Sequence, residues 1–440
     1  MEANPMDDFL YREGQLFAEQ VPVARIAADV GTPVYIYSKA TLLGHYRRIA
    51  QAFSTLSPTI CYSLKSCGNL AICRTLVQEG SGLDVTSGGE LFRALKAGCD
   101  PKKIFFAGVG KTDREIAEAL DARIGTFNVE SEEEFWNLDR IAGQKGVTAA
   151  AALRVNPDLQ NRSTHNKTFT SRKEDKFGIN IDRAADFYRQ ASKAKHARLH
   201  GLHLHIGSPI KFTEPYAEAV TKALALIDDL AASGIPIETL DIGGGFAAFY
   251  EGNEAPPFSA YAEAIVPLLR DRVNNPAPGR TPLKIILEPG RSIIANAAIL
   301  LAQVQYTKQA GTKSYVIVDA AMNDLIRPTL YESYHFIWPA QPGSNAIPPD
   351  RQNSVRMIGD QKVDVVGPIC ESGDYLAKDR FLPPMKRGDL LAIFSAGAYG
   401  MAMSSNYNAR PRAAEVLVDG NQFSTIRRRE TYEDLIRGEV

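Results

Sequence analysis

The chain is poor in the residues that would staple or anchor it. It has five cysteines in 440 residues, at positions 61, 67, 73, 99 and 370. The count is odd and the spacing fits no zinc pattern, which argues against a disulfide framework and against a structural metal. Most of these thiols are expected to be small buried hydrophobes in a reducing compartment. Cys370 stands apart in a turn-rich GPIC context. No run approaches the ~20 apolar residues that a membrane-spanning helix requires. The opening MEANPMDDFLYREGQ lacks the basic start and apolar stretch of a secretion signal. A cytoplasmic location with no membrane partner is the expectation. Excess charge is missing too, since 50 Lys+Arg against 51 Asp+Glu leave a net −1. No global field would gather nucleic acid or anionic lipid. Low-complexity tracts and internal repeats are absent.

What remains is an ordinary globular composition, 45% hydrophobic and 23% charged, in a chain long enough for two domains. From about 58 to 290, short β-rich runs alternate with helical patterns such as GGELFRALKAG and PYAEAVTKALALIDDLAASG. The strand-like runs are ICYSLK (60–65), GLDV (82–85), KIFFAG (103–108), GTFNV (125–129), AAALRV (150–155), HGLHLH (200–205), TLDIG (239–243) and KIILE (284–288). Eight strand–helix units predict an α/β fold with a closed (β/α)8 barrel, and a doubly wound open sheet is the competing arrangement. After 290, SYVIVDA, KVDVVGP, DLLAIFSAGAY and AEVLVDG are strands between Gly, Pro and Asp turns. They predict a C-terminal, mostly-β domain, which PVYIY (33–37) can join. The domains are therefore placed at 38–290 for the barrel, and at 1–37 with 291–440 for the β domain. Residues 158–176 are polar and read as a loop.

Barrel active sites lie at the C-terminal ends of the strands. Side chains alternate along a strand, so parity selects candidates there. In strand one Cys61, Ser63 and Lys65 share a face opposite the large apolar set. An inward Lys65 would be desolvated, and its neutral amine could form an imine with an aldehyde. Parity alone allows equally a lysine that points to solvent. In strand six His203 and His205 share a face, as core histidines, metal ligands or a ring stacked on an aromatic cofactor, with Ser208 following. Strand seven ends in Gly243, Gly244 and Gly245, a run that brings backbone N–H groups close to an anion. Strand eight ends in LEPGR, with Glu288, Gly290 and Arg291. Glu288 needs a cationic partner, either a protonated ring nitrogen or Arg291 or Arg154. Arg291 itself suits a phosphate or carboxylate. One aldehyde cofactor bearing a phosphate and a ring nitrogen explains all four strand ends.

The segments YSLKSCGN, GLDVTSGGE, KFGIN, GLHLHIGS, LDIGGGF, LEPGR, DAAMNDLIRPTLY, GPICESGD and GAYGMAMSSNYNARPRAAEVL resemble the meso-diaminopimelate decarboxylase family. That family pairs an alanine-racemase-like barrel with a β domain and uses pyridoxal 5′-phosphate. LIRPTLY, CESGD and SSNYNARPR favour diaminopimelate over ornithine or arginine. The resemblance implies that Lys65 is the Schiff-base lysine and Asp84 orients the site near it. It implies that His205 stacks on the pyridine ring and Glu288 pairs with its nitrogen. Ser208, Gly243, Gly244, Gly245, Gly290, Arg291 and Tyr399 would surround the phosphate. Arg291, Arg327 and Tyr331 would bind the distal carboxylate, with Tyr399 also touching substrate. Glu371 would take the distal ammonium, and Cys370 would donate the proton. In this family the GPICESGD loop comes from the neighbouring subunit of a homodimer. No metal is implied. Two departures stand out: Ser66-Cys67-Gly68 where the family commonly has alanine-asparagine after the lysine, and Ala321 where it commonly has glycine. An amino-acid racemase on the same barrel, a non-catalytic binding protein and a decarboxylase for another extended diamine carboxylate are the rival functions.

Overall fold

The computed structural model describes residues 7–159, 175–251, 255–276 and 281–440. The polar 158–176 loop falls largely outside the described residues. The chain divides into two compact units, Tyr46–Ala247 with Ala255–Gly290, and Met1–His45 with Ala248–Glu254 and Arg291–Val440.

The first unit is a closed barrel. Its strands are Thr59–Ser63, Gly82–Val85, Ile104–Phe106, Thr126–Val129, Ala149–Asn156, Ala197–His203, Thr239–Asp241 and Lys284–Leu287. Each pairs in parallel with the next, and the eighth pairs with the first, so the barrel leaves no open edge. The open-sheet alternative is excluded. Cys61, Phe105 and Ile286 form a buried cluster, as the inward parity of Cys61 and Ile286 predicts. Strand six carries a register shift between Leu199 and Gly201. Several helices between the early strands start where a polar side chain satisfies a free N–H group. Ser87, for example, accepts from the Glu90 N–H at 3.2 Å to open Gly88–Lys96.

Five predicted strands ran past the observed ends, the third by Ala107 and Gly108 beyond Phe106; in the other four the overrun covers candidate site residues. Pairing stops at Ser63, His203, Asp241 and Leu287. Lys65 instead lies in a single 3-10 turn, Leu64–Ser66, and His205, Gly243 and Glu288 sit just beyond their strands. The apolar alternation continues past the last ladder bond, because a residue at the barrel mouth still has an inward and an outward side.

The second unit is mostly β. Its sheet runs Tyr375–Leu382, Gln361–Val366, Lys313–Val318, Ala298–Ala310, Val34–Ser38, Ala414–Asp419, Gln422–Arg427, with Leu390–Ile393 pairing off the long Ala298–Ala310 strand and Ile337–Pro339 pairing with Leu390–Ile393. Val34–Ser38, from the N-terminal PVYIY segment, lies between Ala298–Ala310 and Ala414–Asp419. A small antiparallel meander, Phe9–Arg12, Gln15–Ala18 and Val21–Pro22, precedes it. No described helix is long and apolar enough to cross a membrane.

Candidate active site

At the mouth of the barrel Lys65 Nζ lies 3.1 Å from Asp84 Oδ2, with the lysine side chain one-third exposed and Asp84 fully buried. Ser63 donates a short hydrogen bond to the same carboxylate oxygen. Lys65 is thus one half of an ion pair, an arrangement parity could not distinguish from a lysine pointing to solvent. Burial pushes the Asp84 carboxyl up, Glu288 adds to this, and Lys65 and Ser63 pull against it.

Among the described residues of the barrel, Glu288 does not pair with Arg154. His203 Nε2 is 3.2 Å from its Oε2, and Asn128 Nδ2 donates to its Oε1 at 3.1 Å. Arg154 is taken by Glu130 at 2.8 Å. Asp241 completes the cluster, accepting from the Gly243 N–H at 2.8 Å and from Asn128 at 3.4 Å. The two carboxyls compete for ionisation. Burial pushes Asp241 well up and Glu288 pushes it further, which favours its neutral form. Burial also opposes ionisation of Glu288, but His203 outweighs it and holds Glu288 down. The ligand atoms of His203, Asp241 and Glu288 lie within 4.8 Å of one another, the spacing of a metal site. Those atoms already bond within the trio, whereas Glu288 keeps its negative charge. A cationic ring nitrogen is what such a carboxylate suits.

His205 is held well below the usual imidazole range, by burial first and then by Lys65 and Arg154. A neutral, half-buried ring can lie flat on another aromatic ring without a charge penalty. The Gly244 N–H reaches its Nδ1 at 3.5 Å, so the glycine run also orients the ring. That run cannot carry side chains. A Cβ on Gly244 would lie 2.1 Å from the Glu288 carbonyl oxygen, and Gly245, at φ +97°, meets the Gly207 carbonyl oxygen at 2.2 Å. Ser208 follows in the same half-exposed loop. At Gly290 a Cβ would come within 2.9 Å of Ser63 and 3.0 Å of Ser66. Ser66 occupies the alanine position of the family and anchors its turn by donating to the Ser63 carbonyl at 2.7 Å. Asp84 Oδ1, Asn128 Oδ1 and His203 Nδ1 are buried with no partner among the described residues. An amine at the mouth, a neutral imidazole, a side-chain-free loop, an ionised carboxylate and unpartnered polar atoms together fit a phosphorylated aromatic aldehyde.

The β unit holds the other predicted residues in two groups. In the first, Arg291 and Arg327 are both buried. Arg291 Nη1 donates to Tyr250 Oη at 3.0 Å, and the guanidinium carbon lies 4.9 Å from the Tyr399 ring centroid. Tyr399 adopts a left-handed backbone, φ 57°, which is costly for an aromatic residue and recurs at functional sites. Arg327 opens the short helix Arg327–Tyr331, with Pro328 in its first turn. In the second group, Cys370 is exposed while the other four cysteines are buried, and all are free. Its N–H donates to Asn408 Oδ1 at 2.9 Å, and Glu371 hydrogen-bonds Tyr407. Asp374 fixes this loop by accepting from the N–H groups of Ile369 at 2.8 Å and Met322 at 2.7 Å. Ala321 is not in the left-handed region, so its backbone requires no glycine. The glycine requirement falls on Gly367, where a Cβ would lie 2.4 Å from the Ala321 Cβ.

Sequence reasoning missed Asn128, Asp241 and Tyr250. A signal existed for the first two, as each is a polar residue flanked by apolar ones in a barrel strand, the parity that exposed His203. Tyr250 lies outside any regular element and had none.

Over residues 39–295 the chain matches the family described as pyridoxal-dependent decarboxylase, pyridoxal binding domain, which sets the class of the barrel. The diaminopimelate decarboxylases of Pseudomonas aeruginosa and Vibrio cholerae are each 46% identical, over 99% and 98% of this chain and equal shares of their own. The diaminopimelate decarboxylase of M. jannaschii, solved in co-complex with L-lysine, superposes with a TM-score of 0.89 at 34% identity, covering 99% of this chain and 98% of that one. The chain belongs to the diaminopimelate decarboxylase family.

Proposed function

We infer that this protein removes CO2 from the D-centre of meso-2,6-diaminopimelate and releases L-lysine, the last step of lysine synthesis. The observation that carries this is the 46% identity across 99% of the chain. The Lys65–Asp84 and His203–Glu288 pairs support it. Pyridoxal 5′-phosphate, when bound, supplies an electron-poor ring that takes up the electron pair left by the departing carboxylate.

The residues divide the work. Lys65 would hold the cofactor aldehyde, with Asp84 steering the lysine. Glu288 would pair with the ring nitrogen, its ionised state favoured by His203. His205 would lie against the ring and exclude water from it. Ser208, Gly243, Gly244, Gly245, Gly290, Arg291 and Tyr399 receive the phosphate. Arg291, Arg327 and Tyr331 take the distal carboxylate, and Glu371 takes the distal ammonium. Cys370 delivers a proton to the carbon that lost CO2. Its exposure, beside the exposed Glu371, suits residues that complete the site of a second subunit, so the working form is a homodimer with shared sites. Five free thiols suit the cytoplasm.

Specificity follows from charge. A site that pairs both distal groups rejects a substrate lacking one, because its own buried charge then stays unpaired. Purified protein given pyridoxal 5′-phosphate and meso-diaminopimelate should release CO2 and lysine in equal amounts, with little turnover of ornithine. Comparable turnover of ornithine would overturn the substrate assignment, and loss of optical rotation without CO2 would make the protein a racemase.

A further inference from the structure

Tyr250 has no role in the reading above, yet it is the common partner of both arginines assigned to the distal carboxylate. Its hydroxyl accepts from Arg291 Nη1 at 3.0 Å. The Arg291 guanidinium carbon lies 6.0 Å from its ring centroid and that of Arg327 lies 5.1 Å from it. Two like charges gathered on one ring repel each other. The ring's π density offsets part of that repulsion. His335 braces the ring edge-on, with centroids 5.5 Å apart and planes at 90°. The His335 Nδ1 is 2.9 Å from the Phe394 carbonyl oxygen and donates to it, which fixes the imidazole plane. Arg327 bonds only weakly beyond this, through Nη2 to Ser333 Oγ at 3.3 Å, and its buried Nε has no partner among the described residues. A buried guanidinium with an open N–H edge is a receptor waiting for a planar anion. The phenol agrees with this picture. Burial pushes it up, but Arg327 and then Arg291 outweigh burial and bring it below its ordinary value.

We propose that Tyr250 is a specificity-determining positioning residue, which fixes Arg291 and Arg327 around one ring as a receptor for the substrate's distal carboxylate. This rests on the reading that those arginines bind that carboxylate. Tyr250 acts through the arginines, so its loss affects ligands in proportion to their need for a carboxylate contact. L-Lysine carries the distal carboxylate and ammonium, whereas 1,5-diaminopentane carries neither carboxylate.

The test is calorimetric binding of both ligands to cofactor-loaded wild type, Tyr250→Phe, Tyr250→Leu and Arg327→Ala. Tyr250→Phe removes the hydroxyl acceptor and keeps the ring, and Tyr250→Leu removes both. Losing one hydrogen bond to a charged group predicts about tenfold weaker L-lysine binding in Tyr250→Phe, with 1,5-diaminopentane within about twofold of wild type. Tyr250→Leu should lose at least as much. KM for meso-diaminopimelate should rise in parallel while kcat moves much less. If Arg327→Ala loses L-lysine selectively and both Tyr250 variants do not, the inference is overturned and the arginine assignment stands. If Arg327→Ala also binds both ligands normally, the assignment itself fails and takes the inference with it. Equal weakening of both ligands in Tyr250→Phe would mark a general packing role and would also overturn the proposal.

Discussion

Asp241→Asn tests the division of charge beneath the ring. If Asp241 is protonated in the folded chain, an amide is its near-isosteric equivalent. The amide oxygen can still accept from the Gly243 N–H, now at 2.8 Å, and the amide N–H can replace the protonated carboxyl as donor to Glu288, while the long 3.4 Å bond from Asn128 is lost. The consequence is a stability difference that depends on pH. Asp241 is raised in the folded state, by burial first and Glu288 second. Such a group contributes its full stability below the ordinary aspartate value of about 3.9 and loses it as pH rises toward the raised value. Over that window each pH unit costs the folded wild type about 1.4 kcal/mol. Asparagine takes up no proton and escapes this cost. A domain of this size shifts by about 2–4 °C per kcal/mol, so the melting temperature of Asp241→Asn should gain about 3–6 °C on wild type per pH unit. Thermal melts of cofactor-free protein from pH 5 to 8 provide the assay. Melting curves that stay parallel across that range would refute the charge assignment. Glu288→Gln is the contrast. It leaves His203 without its carboxylate, and breaking a buried pair costs about 3–5 kcal/mol.

Lys65→Ala should abolish the visible absorbance of bound cofactor while the melting temperature stays close to wild type, because the lysine is one-third exposed and Asp84 keeps its Ser63 bond; retained absorbance would exclude Lys65 as the attachment point. Gly244→Ala places a Cβ 2.1 Å from a carbonyl oxygen, so it should cost at least about 1–3 kcal/mol of stability and weaken cofactor affinity, which thermal melting and cofactor titration read together. Mixing inactive Lys65→Ala and Cys370→Ala chains should restore about a quarter of wild-type activity, since a hybrid dimer with shared sites keeps one intact site; no recovery after subunit exchange would place Lys65 and Cys370 in the same chain's site.

The barrel was legible because its signal is local and repeated. Eight apolar runs at regular intervals need only period-two alternation to be seen, and the chemistry follows from where those runs stop. The same rule gathers Lys65, His205, the glycine run and Glu288 at one end of the barrel. Its error had the same source: alternation outlasts pairing, so four strands were drawn through the residues that carry the chemistry. Charge states were beyond its reach. For Glu288 the sequence offers a ring nitrogen, Arg291 or Arg154 as the cationic partner, yet its protein partners are His203 and Asn128, 85 and 160 residues away. Which of two buried carboxyls keeps the proton depends on those distances.

Tyr250 shows the deeper limit. Its segment has no helical or strand period, and its arginine and histidine partners arrive from separate stretches of chain, Arg291 from 41 residues away. Nothing in the local pattern around FYEG distinguishes it from a loop aromatic. Motifs identify groups that must have one chemistry, such as an amine, a thiol or a guanidinium. They do not identify the neutral residues that set the spacing between such groups, because many side chains could fill that place in sequence and only one set of contacts fills it in space. Discrimination between substrates differing by one carboxylate depends on that spacing. The specificity of this site is therefore to be sought in residues such as Tyr250 and His335, which hold the charged groups in place, as much as in the charged groups themselves.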